Sequence, residues 1–256
     1  MPDPVVSHRL CAQPRAEAAA SDYEDAAAVQ AAAWPVRAAV ADGATESVFA
    51  GDWARRLADG LAAADILDPA ALRAVVRSAR SDWASAVRER VADRPWYVRS
   101  KVEEGAFATV LALSVAADGR WAALSIGDCG LFHLHNGALR QAWPEDTAEA
   151  FTNRPTLVSS RPDRPVPSPD TITGTWAAGD VFVMATDAVA AWLLRTDPAA
   201  APDRATAFAE AVRTARADGA LRNDDATLLV LEMPASVEPG GRADTDAPDA
   251  GPAPPE

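Results

Sequence analysis

The sequence is short of lysine and cysteine, and each shortage excludes a class of function. Lys101 is the only lysine, and the net charge is −13. Binding to nucleic acid or to an anionic membrane needs a basic surface, so we expect neither partner. The two cysteines, Cys11 and Cys129, provide no disulfide framework and no cysteine-based zinc site.

Long apolar runs are also missing. None reaches the roughly 20 residues that cross a bilayer. Residues 1–17 lack the charged start and the apolar stretch of a signal peptide. These two absences predict a cytoplasmic protein. The 256 residues, 49% of them hydrophobic, suit one large domain with a sizeable core.

The two ends of the chain differ from its middle. Residues 1–20 are interpreted as a loose lead-in. Residues 234–256 are rich in Pro, Gly, Ala and Asp, with almost no large apolar side chain. Such a segment cannot bury enough surface to offset its ordering entropy, so we predict a disordered tail. The folded domain is then expected over residues 21–233.

Between these ends, strand and helix patterns occupy separate stretches. Apolar runs flank Asp118-Gly119 and Asn136-Gly137, which are two-residue hairpin signals. Helical periodicity predicts helices over 49–64, 69–91, 189–194 and 201–218. Hairpin-linked strands with segregated helices favour an α+β fold. A four-layer αββα sandwich, two antiparallel sheets between helix layers, would bury all of these apolar faces.

Acidic residues recur where apolar strands begin or end. They are Glu24-Asp25, Asp42-Gly43, Asp128, Asp187 and Asp224-Asp225. Taken singly, each is typical of a turn, a helix cap or a solvated strand end. Taken together, converging carboxylates need a compensating charge, and hard divalent cations such as Mg²⁺ or Mn²⁺ take oxygen ligands. The set therefore predicts a hydrolytic metal site.

The order of these motifs resembles that of a known family. The quoted segments are YEDAAAV, AVADGATES, GAFATVLALSV with LSIGDCG, GDVFVMATDA, and NDDATLLVLE. In this order they resemble the metal-dependent protein phosphatases of type 2C, in their short bacterial form. The resemblance spans residues 21–233 and implies the same αββα sandwich.

The resemblance also implies a metal centre that binds two divalent cations, Mn²⁺ or Mg²⁺. Asp42 would bridge them, the Gly43 carbonyl would bind one, and Asp187 and Asp224 would complete the other. Glu24 and Asp25 would hold metal-bound waters, and Asp128 would join Asp187 at a third, weaker site. No protein side chain acts as the nucleophile, because a metal-activated water attacks phosphorus. Structural roles are expected for Thr109, Thr227, His133 and His135.

Three departures from the family pattern concern phosphate recognition and the loops beside the metals. Ala20 stands where many relatives carry a phosphate-binding Arg. The phosphate-binding group is therefore unknown, with Arg15, Arg154 and Arg161 as weak candidates. Ala44 follows Gly43 where some relatives have a histidine. Cys129 and Ala188 replace a serine and a glycine.

Three functions stay open at this point. The first is an active phosphatase on phosphoserine or phosphothreonine in proteins, in a pathway opposite a bacterial Ser/Thr kinase. The second is a catalytically weak or inactive regulatory module of the same fold. The third is a phosphomonoesterase for small molecules. Residues 145–170, rich in Pro and Arg, read as a long loop that would border the site.

Overall fold

The computed structural model describes residues 6–234, except 46, 67, 152 and 153, and omits the side chains of 69, 97 and 99. Its strands are β1 (Ser7–Gln13), β2 (Ala26–Gln30), β3 (Val36–Gly43), β4 (Phe107–Val115), β5 (Arg120–Ile126), β6 (Gly130–His135), β7 (Ala138–Trp143), β8 (Val158–Ser159), β9 (Asp170–Thr175), β10 (Asp180–Ala185) and β11 (Ala226–Glu232). Its α-helices are α1 (Ala50–Ala63), α2 (Pro69–Val91), α3 (Trp96–Glu104), α4 (Asp187–Arg195), α5 (Ala201–Thr206) and α6 (Phe208–Ala217).

The strands form two sheets, and the pairings within each are antiparallel. The first sheet has the order β1-β11-β10-β6-β7, and the second has the order β2-β3-β4-β5-β9 with β8 beside β4. Fully buried side chains such as Leu111, Leu113, Phe182 and Met184 pack between the two sheets. Apolar alternation along each strand thus places one face against the opposite sheet.

Helices cover the outer face of each sheet. Trp53 and Leu57 of α1 join residues of α2 against the second sheet. Val189 of α4 and Val212 of α6 pack on the first sheet. The predicted αββα sandwich is confirmed. Among the residues described, no helix combines the length and the apolar character needed to cross a membrane.

Local signals placed most elements correctly. Asn136 and Gly137 both have positive φ, 50° and 73°, which matches the twist of the β6–β7 hairpin. Asp68 caps α2 by accepting a hydrogen bond from the Ala70 amide at 2.7 Å. The helix predicted over 201–218 is divided, because Ala207 has φ −132° and ψ 42°. The sequence patterns did not predict α3.

The interpretation of residues 1–20 as a loose lead-in is wrong for residues 7–13. Residues 7–13 form β1, which pairs with β11 from Ser7 opposite Glu232 to Gln13 opposite Ala226. Most β1 side chains are exposed, so the segment lacks the apolar pattern of a strand. Backbone hydrogen bonds along β11 hold it at the sheet edge instead. The predicted tail lies outside the described residues from 235 onward.

Asp180, fully buried at the start of β10, organises one end of the first sheet. Its carboxylate lies 2.7 Å from His133 Nε2 and 2.5 Å from His135 Nδ1. The Ala177 amide also donates to it, at 2.9 Å. These hydrogen bonds outweigh the effect of burial, so the pKa of Asp180 is lowered. The contacts agree with a structural role for both histidines.

Replacing Asp180 by alanine should destabilise the fold strongly. It would leave the Ala177 amide and the buried His133 ring without their partner. We expect a loss of about 3 kcal/mol in the free energy of unfolding, measured by urea denaturation. Asp163→Ala is the control, because Asp163 is exposed and pairs only with the surface residue Arg161. Equal effects of the two substitutions would contradict this role.

Candidate functional site

Four of the predicted acidic residues meet in one pocket of about 420 Å³. Asp42 ends β3 and Asp128 follows β5, both in the second sheet. Asp187 follows β10 and Asp224 precedes β11, both in the first sheet. The pocket therefore lies where strand ends of the two sheets come together. Gly43 is also among its lining residues.

Gly43 lies where no side chain could fit. A Cβ atom at this position would lie 2.6 Å from the Glu24 carbonyl oxygen and 2.9 Å from the Ala50 carbonyl carbon. Both neighbours are backbone atoms, so neither can rotate away. The close packing explains why glycine follows Asp42, and it fixes the Asp42-Gly43 backbone against the start of α1.

Asp25 is buried beneath the pocket. Its Oδ2 accepts hydrogen bonds from the hydroxyls of Thr186, at 2.9 Å, and Thr227, at 2.7 Å. Burial raises the pKa of Asp25 to about 8; the two hydroxyls oppose this rise, and the nearby Asp225 and Asp187 add to it. The Tyr23 hydroxyl is hydrogen-bonded to Thr227 in turn. Thr227 has the expected structural role.

Asp225 points away from the pocket and holds the N-terminal segment in place. Its Oδ1 accepts from the Arg15 amide at 2.8 Å, and its Oδ2 accepts from the Glu24 amide at 2.7 Å. Glu24 lies in a neighbouring cleft, where its carboxylate pairs with the Arg15 guanidinium at 2.9 Å. The two adjacent acids of this motif therefore have different roles: Asp224 lines the pocket, and Asp225 anchors the N-terminal segment.

Asp128 is a buried acid without a donor. It is 6% exposed, and neither carboxylate oxygen receives a hydrogen bond from another described residue. Burial, together with the charge of Asp187, raises its pKa to about 7. Burial also raises the pKa of Asp42 well above its usual range, and four other carboxylates add to the rise. Burial is thus the largest cause of these raised pKa values, and repulsion among the carboxylates adds to it.

Cys129, next to Asp128, is not set up as a nucleophile. Its sulfur is buried and lies 3.2 Å from the hydroxyl of Thr109. Burial and the nearby carboxylates raise the thiol pKa well above its usual value. The reactive thiolate is therefore disfavoured at neutral pH.

Arg222 enters the pocket from the loop before β11. Its Nη2 donates to Asp187 Oδ2 at 2.5 Å and to Asp224 Oδ2 at 2.9 Å. Over the described part of the chain, no group of three or more acidic, histidine or cysteine side chains converges closely enough to hold a metal ion as it stands. Arg222 itself binds two of the acidic oxygens.

Comparison with known proteins identifies the family. Residues 14–225 match the family model described as protein phosphatase 2C, which is more than half of the chain. The chain belongs to the protein phosphatase 2C family. No curated protein matches it.

Solved structures share the family fold. The photosystem II phosphatase PBCP is 18% identical, with a TM-score of 0.60 over 90% of this chain and 99% of that one. The catalytic domain of the serine/threonine phosphatase PstP, solved with two manganese ions, is 21% identical, with a TM-score of 0.54 over 89% and 97%. The Ser-Thr phosphatase MsPP from Mycobacterium smegmatis is 18% identical, with a TM-score of 0.53 over 90% and 100%. At such identities the likeness shows the fold alone.

In this protein phosphatase 2C family member, the three arginine candidates differ in position. Arg15 pairs with Glu24 and also lies 3.9 Å from Asp225. Arg161 pairs with Asp163 at the surface. Neither Arg154 nor Arg161 is among the described residues that line the pocket. Arg15 does not line it either, but lies in the neighbouring cleft, where its ion pairs are with Glu24 and Asp225, two acids of the predicted motifs.

Sequence reasoning missed three contributors to the site: Arg222, Tyr23 and Thr186. Thr186 directly precedes Asp187, so its place beside the motif was a usable signal. Arg222 had no comparable signal, because its contact with Asp187 joins residues 35 positions apart. An arginine two residues before an acid more often indicates a local surface pair.

The raised pKa of Asp25 predicts a pH dependence of stability. Between its unfolded value near 3.8 and its folded value of about 8, the folded protein keeps a proton that the unfolded chain has lost. Stability from this group must therefore fall as pH rises through that window. We expect the unfolding free energy of wild type minus that of Asp25→Asn to decrease from pH 5 to pH 8, measured in EDTA.

Asp163→Asn is the matched control. Arg161 lowers the pKa of Asp163, so this carboxylate does not titrate between pH 5 and pH 8. The unfolding free energy of wild type minus that of Asp163→Asn should therefore stay constant from pH 5 to pH 8. A flat difference for Asp25→Asn as well would show that Asp25 titrates normally.

Proposed function

We propose that this protein is a metal-dependent phosphatase that removes phosphate from phosphoserine or phosphothreonine in other proteins. The main support is the concentration of carboxylate charge in one pocket. Four aspartates line it, and Arg222 is the single basic residue among its described lining residues. Divalent cations are the partners that such oxygen donors favour.

The donor chemistry, carboxylate and carbonyl oxygens, suits Mn²⁺ or Mg²⁺. Both oxygens of Asp128 and Oδ1 of Asp187 are buried without a donor, so their lone pairs are available to a cation. Asp42, the Gly43 carbonyl, Asp187 and Asp224 would hold two cations. Asp128 would serve a third with Asp187. Glu24 and Asp25 would hold water beside them.

When bound, such cations lower the pKa of water and neutralise charge on the phosphoryl oxygens. The chain's own residues would position this chemistry. Thr186 and Thr227 orient Asp25 through two hydrogen bonds. Gly43 lets the β3 backbone approach closely. The pocket needs no protein nucleophile, which agrees with the inert surroundings of Cys129.

Arg15 is the proposed phosphate-binding residue in place of the arginine that Ala20 replaces. Its amide is anchored by Asp225, so the backbone position is fixed. Its guanidinium donates to Glu24 Oε2 at 2.9 Å and lies 3.9 Å from Asp225, and it keeps further donors for a phosphate. Bidentate guanidinium–phosphate contacts are strong and directional.

The proposed substrate is a phosphorylated segment of another protein in the cytoplasm, supplied by a Ser/Thr kinase. Several of the similar structures are described as serine/threonine phosphatases. Pro155 and Leu157 line the pocket, and residues 155–157 would contact such a segment.

A second candidate is a regulatory module without catalysis. The observation that favours it is the Arg222 bridge, which ties up oxygens of two proposed metal ligands. Ala20, at the position where many relatives carry a phosphate-binding arginine, also favours this candidate. This candidate predicts binding of phosphorylated protein without turnover.

Substitution of Asp42 should abolish catalysis. With Mn²⁺ or Mg²⁺ present, we expect wild type to hydrolyse para-nitrophenyl phosphate and a phosphothreonine peptide, and EDTA to stop it. Asp42→Asn should lower kcat/KM about 100-fold or more, because it removes a charged ligand. Asp163→Asn, an exposed acid, should leave the rate unchanged. Wild type that binds Mn²⁺ yet turns over neither substrate would favour the regulatory module.

Loss of Arg15 should weaken substrate binding. We expect Arg15→Gln to raise KM for the phosphothreonine peptide about tenfold, the equivalent of one charge-assisted hydrogen bond. Arg161→Gln is the matched control, since it removes the same charge from a surface residue that pairs with Asp163. Equal KM values for the two variants would exclude Arg15 as the phosphate-binding residue.

A further inference from the structure

Arg222 occupies an unusual position for a basic side chain. A single nitrogen, Nη2, bonds one oxygen of Asp187 and one oxygen of Asp224. Both acids are proposed ligands of the same cation. The guanidinium therefore lies where positive charge is needed, and it occupies lone pairs that a cation would use.

The acids around Arg222 repel one another. Burial and the charge of Asp187 raise the pKa of Asp224, and Arg222 opposes that rise. Asp187 Oδ1 is buried and has no donor among the described residues. Without Arg222, this pair of carboxylates would carry two charges with no cation of the protein beside them. The bridge thus offsets part of the repulsion.

The backbone that carries Arg222 is anchored independently of this bridge. Asn223 Oδ1 accepts from the Ala16 amide at 2.7 Å. Arg216 donates to the Asp224 carbonyl at 2.5 Å. The Arg222 side chain itself is 46% exposed and reaches the pocket from the solvent side. It can leave the acids by side-chain rotation, with no movement of the loop.

We propose that Arg222 is an internal counter-ion that competes with the divalent cation for Asp187 and Asp224. Arg222 stabilises the acidic pair in the metal-free protein and must release it before a cation binds. The apparent metal affinity is then the intrinsic affinity multiplied by the fraction of molecules in which the bridge is open. This inference rests on the proposed metal centre, and it adds a residue that sets the metal concentration at which the centre fills.

The test is a direct measurement of Mn²⁺ binding by calorimetry, with no assay of activity. Arg222→Gln removes the bridging charge. Arg213→Gln is the matched control, because it removes the same charge from an exposed residue that pairs with Glu210 on α6. We expect Arg222→Gln to bind Mn²⁺ at least tenfold more tightly than wild type and Arg213→Gln to match wild type.

Thermal unfolding in EDTA is the second readout. Arg222→Gln should unfold at a lower temperature than wild type in EDTA, and Mn²⁺ should raise its midpoint by more than it raises that of wild type. Arg222→Lys keeps the positive charge but replaces the guanidinium by a single ammonium group. Its Mn²⁺ affinity and its unfolding temperature in EDTA should lie between those of wild type and Arg222→Gln. This variant keeps the test decisive if Arg222→Gln folds poorly.

The outcomes separate this inference from the proposed function. If wild type and Arg222→Gln bind Mn²⁺ equally, or the variant binds it more weakly, the competition is refuted while the metal centre stands. If neither binds Mn²⁺, the metal centre fails, and the competition fails with it.

Discussion

Repulsion between carboxylates is the constraint on which the rest of this structure depends. Asp25, Asp42, Asp128, Asp187 and Asp224 interact electrostatically within one end of the sandwich, and burial removes the water that would screen them. The protein offsets this charge in several ways. Threonine hydroxyls donate to Asp25, backbone amides donate to Asp225, and one guanidinium bridges Asp187 and Asp224. Asp128 receives no such hydrogen bond from another described residue, and its pKa is raised to about 7.

The sandwich is what brings these charges together. Each sheet supplies acids from strand ends, and the apolar layer between the sheets fixes how far apart those ends lie. Glycine at position 43 lets β3 approach the Glu24 backbone closely, so the Glu24-Asp25 and Asp42-Gly43 motifs are packed against each other. The fold is shared with structures that are 18% and 21% identical to this chain. A core of this kind tolerates such change because it needs apolar volume more than particular side chains.

The sequence was most informative where chemistry and local structure coincide. Asp42, Asp187 and Asp224 follow or precede strongly apolar strands, so their positions at strand ends could be predicted, and the hairpin at Asn136-Gly137 has its own local signal. β1 could not be predicted, because its exposed side chains carry no apolar pattern. The division of the last helices at Ala207 was hidden for a related reason, since alanine favours helix and the break comes from packing. Arg222 was missed because its partners are set by tertiary structure.

The pairing of β1 with β11 has a consequence for how the protein is made. β1, at the start of the chain, can pair only after β11 near its end has been made. Asp225, just before β11, anchors the segment that carries Glu24. A nascent chain on the ribosome therefore cannot complete the acidic pocket until residues 224–232 have left the exit tunnel. Loop closure over more than 200 residues is slow relative to local folding. During synthesis, the acids of the N-terminal half remain in a partly folded chain, where water still screens their charge.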